Sequence, residues 1–139
     1  MSISPTRIIE EVEKIISQDN NRDKMHAFLE KFFQCEVYVR PILNQYYCDI
    51  GEERQSDDIK LVAKDIRDAC FENGIYFDDK KLITRIFGAE DGVNKSSCRW
   101  LRNKITHELM RRAVKEVCVR SDELIFDMNR FIERIKEQQ

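Results

Sequence analysis

Apolar residues recur along this chain three and four positions apart, the spacing that gathers them on one stripe of an α-helix. Ile8, Ile9, Val12, Ile15 and Ile16 follow it and predict a first helix over about Thr6 to Gln18. Ser4 before Pro5 suits an N-cap followed by proline at the first helical position. The polar run Gln18-Asp19-Asn20-Asn21 interrupts the pattern. Met25, Phe28, Leu29, Phe32 and Phe33 then form a stripe that predicts a second helix over about Arg22 to Tyr38. Pro41 either kinks this helix or opens a separate one to about Ile50, carrying Ile42, Leu43, Tyr46 and Tyr47.

The polar, acidic stretch from Gly51 to Asp58 reads as a loop. Ser56 is placed to cap a helix to about Glu72, with Asp57 and Asp58 in its first turn. Ile59, Val62, Ile66, Ala69 and Cys70 are its apolar stripe, and Asn73-Gly74 its end. A helix from Asp78 to Phe87 follows, and Gly88 to Lys95 is a second loop. Ser96 or Ser97 caps a helix running to about Cys118. Ser121, followed by Asp122 and Glu123, caps a last helix bearing Leu124, Ile125, Met128, Phe131, Ile132 and Ile135. The fold class expected is all-α: a compact bundle of five or six helices in a single domain over residues 1–139.

Composition agrees with this picture. The chain has 139 residues, 42% hydrophobic and 36% charged, enough for one well-cored domain and too few for two ordinary ones. With only 4 glycines and 2 prolines, long uninterrupted helices are favoured. No apolar run reaches the ~18 residues of a membrane span. The N-terminal Met1-Ser2-Ile3-Ser4-Pro5 lacks a basic region followed by an apolar one, so no secretory signal is expected. The five cysteines, Cys35, Cys48, Cys70, Cys98 and Cys118, are odd in number and widely spaced. They read as reduced core thiols of a cytoplasmic protein rather than disulfides or a zinc site.

The net charge is only −2, which argues against a general nucleic-acid binder. The distribution changes that reading. Between Lys95 and Arg120 stand eight basic residues against two acids, Glu108 and Glu116. A basic segment on an otherwise acidic chain suits a phosphate backbone, and equally a solvated helix face paired with acidic neighbours.

Inside this segment lies Arg99-Trp100-Leu101-Arg102-Asn103-Lys104-Ile105-Thr106-His107. Histidine can take and give a proton near neutral pH, and arginine presents a charged fork of donors that fits phosphate. On a helix, Leu101, Ile105 and Leu109 form one apolar stripe. Asn103 and His107, four apart, share another face. Arg102 is about 140° from His107, so it reaches round by its length or meets the histidine of a second subunit. Met110, Val114 and Val117 fall near the Asn103/His107 face. That second apolar side implies either burial in the bundle or a subunit interface, where twofold symmetry would bring two copies of the cluster together.

Arg102-Asn103-Lys104-Ile105-Thr106-His107 resembles the signature of the HEPN domains: an arginine, a polar residue directly after it, and a histidine four to six positions beyond the arginine. The likeness covers the motif and its place on a late helix of an all-α domain; outside roughly Ser97 to Leu109 no specific sequence is recognised. The resemblance implies a metal-independent endoribonuclease with a composite site at a homodimer interface formed by the helix that carries Arg102 and His107. His107 would be general base or acid, Arg102 would hold the scissile phosphate, and Asn103 would orient one of them. Arg99, Lys104 and Arg111 would contact the RNA backbone. No cofactor or metal is implied. A toxin or defence role, with a protein antitoxin or inhibitor as partner, goes with the family. The alternative is a catalytically silent HEPN-like module that binds RNA, nucleotide or protein.

The remaining candidates carry less. His26 sits beside an apolar stripe and reads as a surface or packing residue. Asp57-Asp58 and Asp78-Asp79 look like first-turn caps rather than metal ligands. Trp100, Tyr46, Tyr47 and Phe71 fall in helical apolar patterns and are expected in the core or an interface rather than as base-stacking platforms. The glycines of Gly88-Ala89-Glu90-Asp91-Gly92 lack the lysine and preceding strand of a phosphate loop.

Overall fold

The apolar stripes dictate where the helices lie. In a computed structural model, which describes residues 5–16, 21–52, 60–89 and 96–138, six helices pack together: α1 (Pro5–Ile16), α2 (Asn21–Asp49), α3 (Ala63–Glu72), α4 (Leu82–Phe87), α5 (Cys98–Glu108) and α6 (Arg111–Glu137). No strand occurs among the described residues. The expected all-α bundle is the fold.

Helices α2 and α6 form its centre. α2 buries Met25, Phe28, Phe32, Cys35, Val39, Leu43 and Tyr47, all at helical spacing. α6 answers with Val114, Val117, Leu124, Met128, Phe131 and Ile135, among others. The two run parallel. The Cys118 thiol approaches the Asn21 carbonyl, and the Cys35 thiol the Met128 carbonyl, each at 3.9 Å. Farther along, the Lys136 ammonium lies 5.7 Å from the Tyr38 ring centroid. Phe131 stacks on Phe77 with centroids 5.4 Å apart and meets Phe87 edge-on at 5.2 Å, closing the core between α4 and α6.

Pro41 neither ends α2 nor opens a new helix; it lies inside one 29-residue element. It is tolerated because its face is solvent-exposed, as is Val37, whose carbonyl the missing N–H would have met.

Other boundaries differ from expectation. The helix predicted to run on to Cys118 stops at Glu108, and α6 starts at Arg111. Leu109 makes the break by adopting a left-handed backbone (φ 47°, ψ 46°). Its N–H reaches Ile105 O at 3.2 Å and that of Met110 reaches Lys104 O at 3.1 Å. Ser121 is no cap. It is buried inside α6, where a small side chain fits the packed face. The segment 78–81 is a turn, with Asp79 accepting from the Lys81 N–H at 3.0 Å, so α4 begins only at Leu82. The helix expected from Ser56 begins at Ala63; Ser56, Asp57 and Asp58 lie outside the described residues, as do Ser4, Gln18 and most of the Gly88–Lys95 loop.

Two aromatics of the expected apolar patterns lie on the surface, Phe33 from the stripe of α2 and Phe71 from a pattern read as core or interface. Phe33 and Phe71 are exposed, Phe71 with Tyr76 edge-on at 5.5 Å. All five cysteines are free thiols, four of them buried and Cys48 exposed. No helix is long and apolar enough to cross a membrane.

Candidate functional site

The motif sits on α5, and a serine starts that helix. Ser97 accepts a hydrogen bond from the Trp100 N–H at 3.1 Å and donates its own hydroxyl proton to Gly88 O at 2.6 Å. One buried hydroxyl thus caps α5 and ties it to the end of α4. Gly88 allows this. A Cβ there would stand 2.5 Å from Thr84 O, so only glycine lets the chain pass this close to the last turn of α4. Leu101 and Ile105 then anchor α5 in the core.

The motif residues split between two environments. Arg102 points inward. Its guanidinium lies 3.1 Å from Glu36 on α2 and 4.7 Å from the Phe32 ring centroid, with the side chain 25% exposed. Arg102 Nε is buried and has no hydrogen-bond partner among the described residues. Glu36 also accepts from Arg40 at 3.0 Å. Asn103 is half-buried, and His107 is exposed in the last turn of α5. No hydrogen bond or ion pair among the described residues engages His107. The geometry keeps Asn103 and His107 on one face, four residues apart, with Arg102 turned toward α2.

The residues expected to contact an RNA backbone are each engaged within the protomer. Arg99 donates to Phe87 O at 3.4 Å. Lys104 pairs with Glu108 one turn on and lies 5.7 Å from the Trp100 ring centroid. Arg111 pairs with Glu11, joining the start of α6 to α1. Such surface ion pairs are weak, so they leave these cations open to exchange with a phosphate.

The second apolar face, read as burial or interface, resolves as burial. Val114 and Val117 are fully buried against the protomer's own core. The break at Leu109 turns α6 away from the line of α5, so these residues do not continue the Asn103/His107 face. Trp100 packs partly against the core, with Arg112 5.3 Å from its ring centroid. His26 is an exposed residue of α2.

Glu36 was not singled out in the sequence. The signal was there: an acid one turn after Phe32 and beside Cys35, on the edge of a buried stripe, calls for a cation. Also missed was the grouping of Lys14 with Arg111, Arg112 and Lys115 around one cavity. It depends on α1 lying beside the start of α6, which no local pattern encodes. Among the described residues no three His, Cys, Asp or Glu side chains are grouped as metal ligands. In comparisons with known proteins, no protein family, curated protein or solved structure matches the chain.

Proposed function

We propose that this protein is a HEPN-like, metal-independent endoribonuclease working as a homodimer, with Arg102, Asn103 and His107 as its catalytic residues. The observation that carries the reading is that the whole motif lies on one short helix whose last turn presents His107 to solvent, with no hydrogen bond or ion pair to it among the described residues. An unengaged imidazole is free to move a proton between a ribose 2′-hydroxyl and a leaving 5′-oxygen. Arg102, oriented by Glu36, is the group for the phosphate. Exposed Phe33 and Val37 flank Glu36 in sequence on α2, an apolar strip suited to a second copy. Within this reading the protein acts in the cytoplasm as a toxin or defence effector, held in check by a protein antitoxin or inhibitor.

A second reading has its own support. The carboxylate of Glu36 already occupies Arg102, which favours a catalytically silent module that binds RNA, nucleotide or a partner protein. Cleavage of single-stranded RNA in EDTA decides between them. The enzyme reading expects cutting by wild type that is lost in both His107→Ala and Arg102→Ala, together with a dimer in sedimentation. Binding without cutting supports the silent module. Neither cutting nor binding removes the enzyme and the RNA-binding form of the silent module, leaving a module for nucleotide or protein.

A further inference from the structure

Between α1 and the first turn of α6 lies an open cavity of about 660 Å³, lined by Glu11, Lys14, Ile15, Met110, Arg111, Arg112 and Lys115. Among the described residues four cations and one carboxylate line it. Glu11 is partly neutralised already, since it pairs with Arg111 and also with Arg7 at 3.4 Å. Arg112 and Lys115 are exposed, and the Arg112 guanidinium rests on the Trp100 ring, with no acid paired to it among the described residues. The floor, Ile15 and Met110, is apolar and partly buried.

The backbone adds the same sign of charge. Met110 caps α6 without any side-chain hydrogen bond. The first N–H groups of a 27-residue helix therefore open toward this end, where helices favour anions. Side chains and backbone agree on the charge of the ligand, and the cations carry the argument.

We propose that this cavity binds a terminal phosphate group, that of a nucleotide or of a 5′-phosphorylated RNA. A terminal phosphate suits it better than a backbone phosphodiester for two reasons. It carries roughly −1.5 to −2 charge at neutral pH and three acceptor oxygens, enough to engage several of the four cations. It also projects from its molecule, as an open concave site requires. The site is separate from Arg102 and His107 and stands whether or not these cut RNA. His107 is three residues before Met110, so their α-carbons are no more than about 11 Å apart. One RNA end could engage both.

Trp100 is the only tryptophan and reports on the cavity through Arg112. Pyrophosphate, a nucleoside monophosphate, and a short RNA with either a 5′-phosphate or a 5′-hydroxyl are titrated at about 0.1 M salt, read by Trp100 fluorescence and by calorimetry. The expected result is saturable binding of pyrophosphate with a change in Trp100 emission. Arg112→Glu/Lys115→Glu should lower that affinity at least about tenfold, and Arg112→Gln/Lys115→Gln less, with melting unchanged. The tighter of the nucleotide and the 5′-phosphorylated RNA identifies the source. Pyrophosphate that does not saturate in calorimetry, or that binds the charge-reversed variant as well as wild type, overturns the proposal.

Discussion

Arg102 and Glu36 join α5 to α2 through an ion pair of 3.1 Å in which neither side chain is more than a quarter exposed. The carboxylate fixes which way the motif arginine faces. Removing it leaves a partly desolvated guanidinium whose Nε is already without a partner. Glu36→Ala should therefore cost roughly 1–3 kcal/mol in urea unfolding, and Glu36→Gln less, because the amide oxygen still accepts. A variant as stable as wild type would mean that the pair does not hold the two helices together.

His107 should behave in the opposite way. An exposed side chain with no partner contributes little to the fold, so His107→Ala should stay within about 0.5 kcal/mol of wild type. If it is the proton-transfer group, cleavage should fall by roughly 10²–10⁴. A large loss of stability with no loss of cleavage would move His107 out of the site.

The Ser97–Gly88 junction is the support beneath the motif. Ser97→Ala removes a cap and a buried hydrogen bond together and should cost about 1–2 kcal/mol. Gly88→Ala forces a methyl group against the Thr84 carbonyl at 2.5 Å and should destabilise by about 1–3 kcal/mol. Both are read by thermal melting. Hydrogen exchange should show the loss first in α5.

On α4 itself, Arg85 bridges Asp127 at 2.9 Å and Asp79 at 2.6 Å. Its hydrogen bond, with that of the Lys81 N–H, holds the Asp79 carboxyl below its ordinary range. A carboxylate depressed in the folded state stabilises above its unfolded-state pKa, and that contribution is lost as pH falls through the folded value. Wild type should therefore lose stability on acidification below about pH 4. Asp79→Asn should be less stable near neutrality and converge on wild type in acid. Parallel urea midpoints across pH would expose a carboxylate that contributes nothing.

Four of the five thiols are buried and Cys48 is exposed. Burial pushes Cys35 and Cys70 up to about 12, and Cys98 and Cys118 upward as well. Since the thiolate is the reactive form, a thiol reagent should modify Cys48 alone in the folded protein and all five in urea. Rapid labelling of a second cysteine under native conditions would contradict this burial.

Much of the architecture was legible because a stripe such as Phe28, Phe32, Cys35, Val39 requires a helix whatever lies around it. The breaks were less so. Leu109 is neither glycine nor asparagine, the residues that usually mark a left-handed turn, so α5 and α6 read as one helix as far as Cys118. Ser121-Asp122-Glu123 has the composition of a cap, yet packing on α2 holds it inside α6. For the site, the order Arg102-Asn103-x3-His107 was readable, whereas the partner of Arg102 was not. Glu36 and Arg102 are brought together only by the docking of α5 on α2.

The parallel course of α2 and α6 has a consequence during synthesis. The contacts that close the core join residues 93 and 97 positions apart. At roughly 5–20 residues per second, about 5–20 s separate the synthesis of such an α2 residue from that of its α6 partner. Until then Phe28, Phe32, Val39 and Leu43 have no α6 to cover them. The nascent chain therefore passes through an interval in which this long apolar stripe is a natural client for a chaperone.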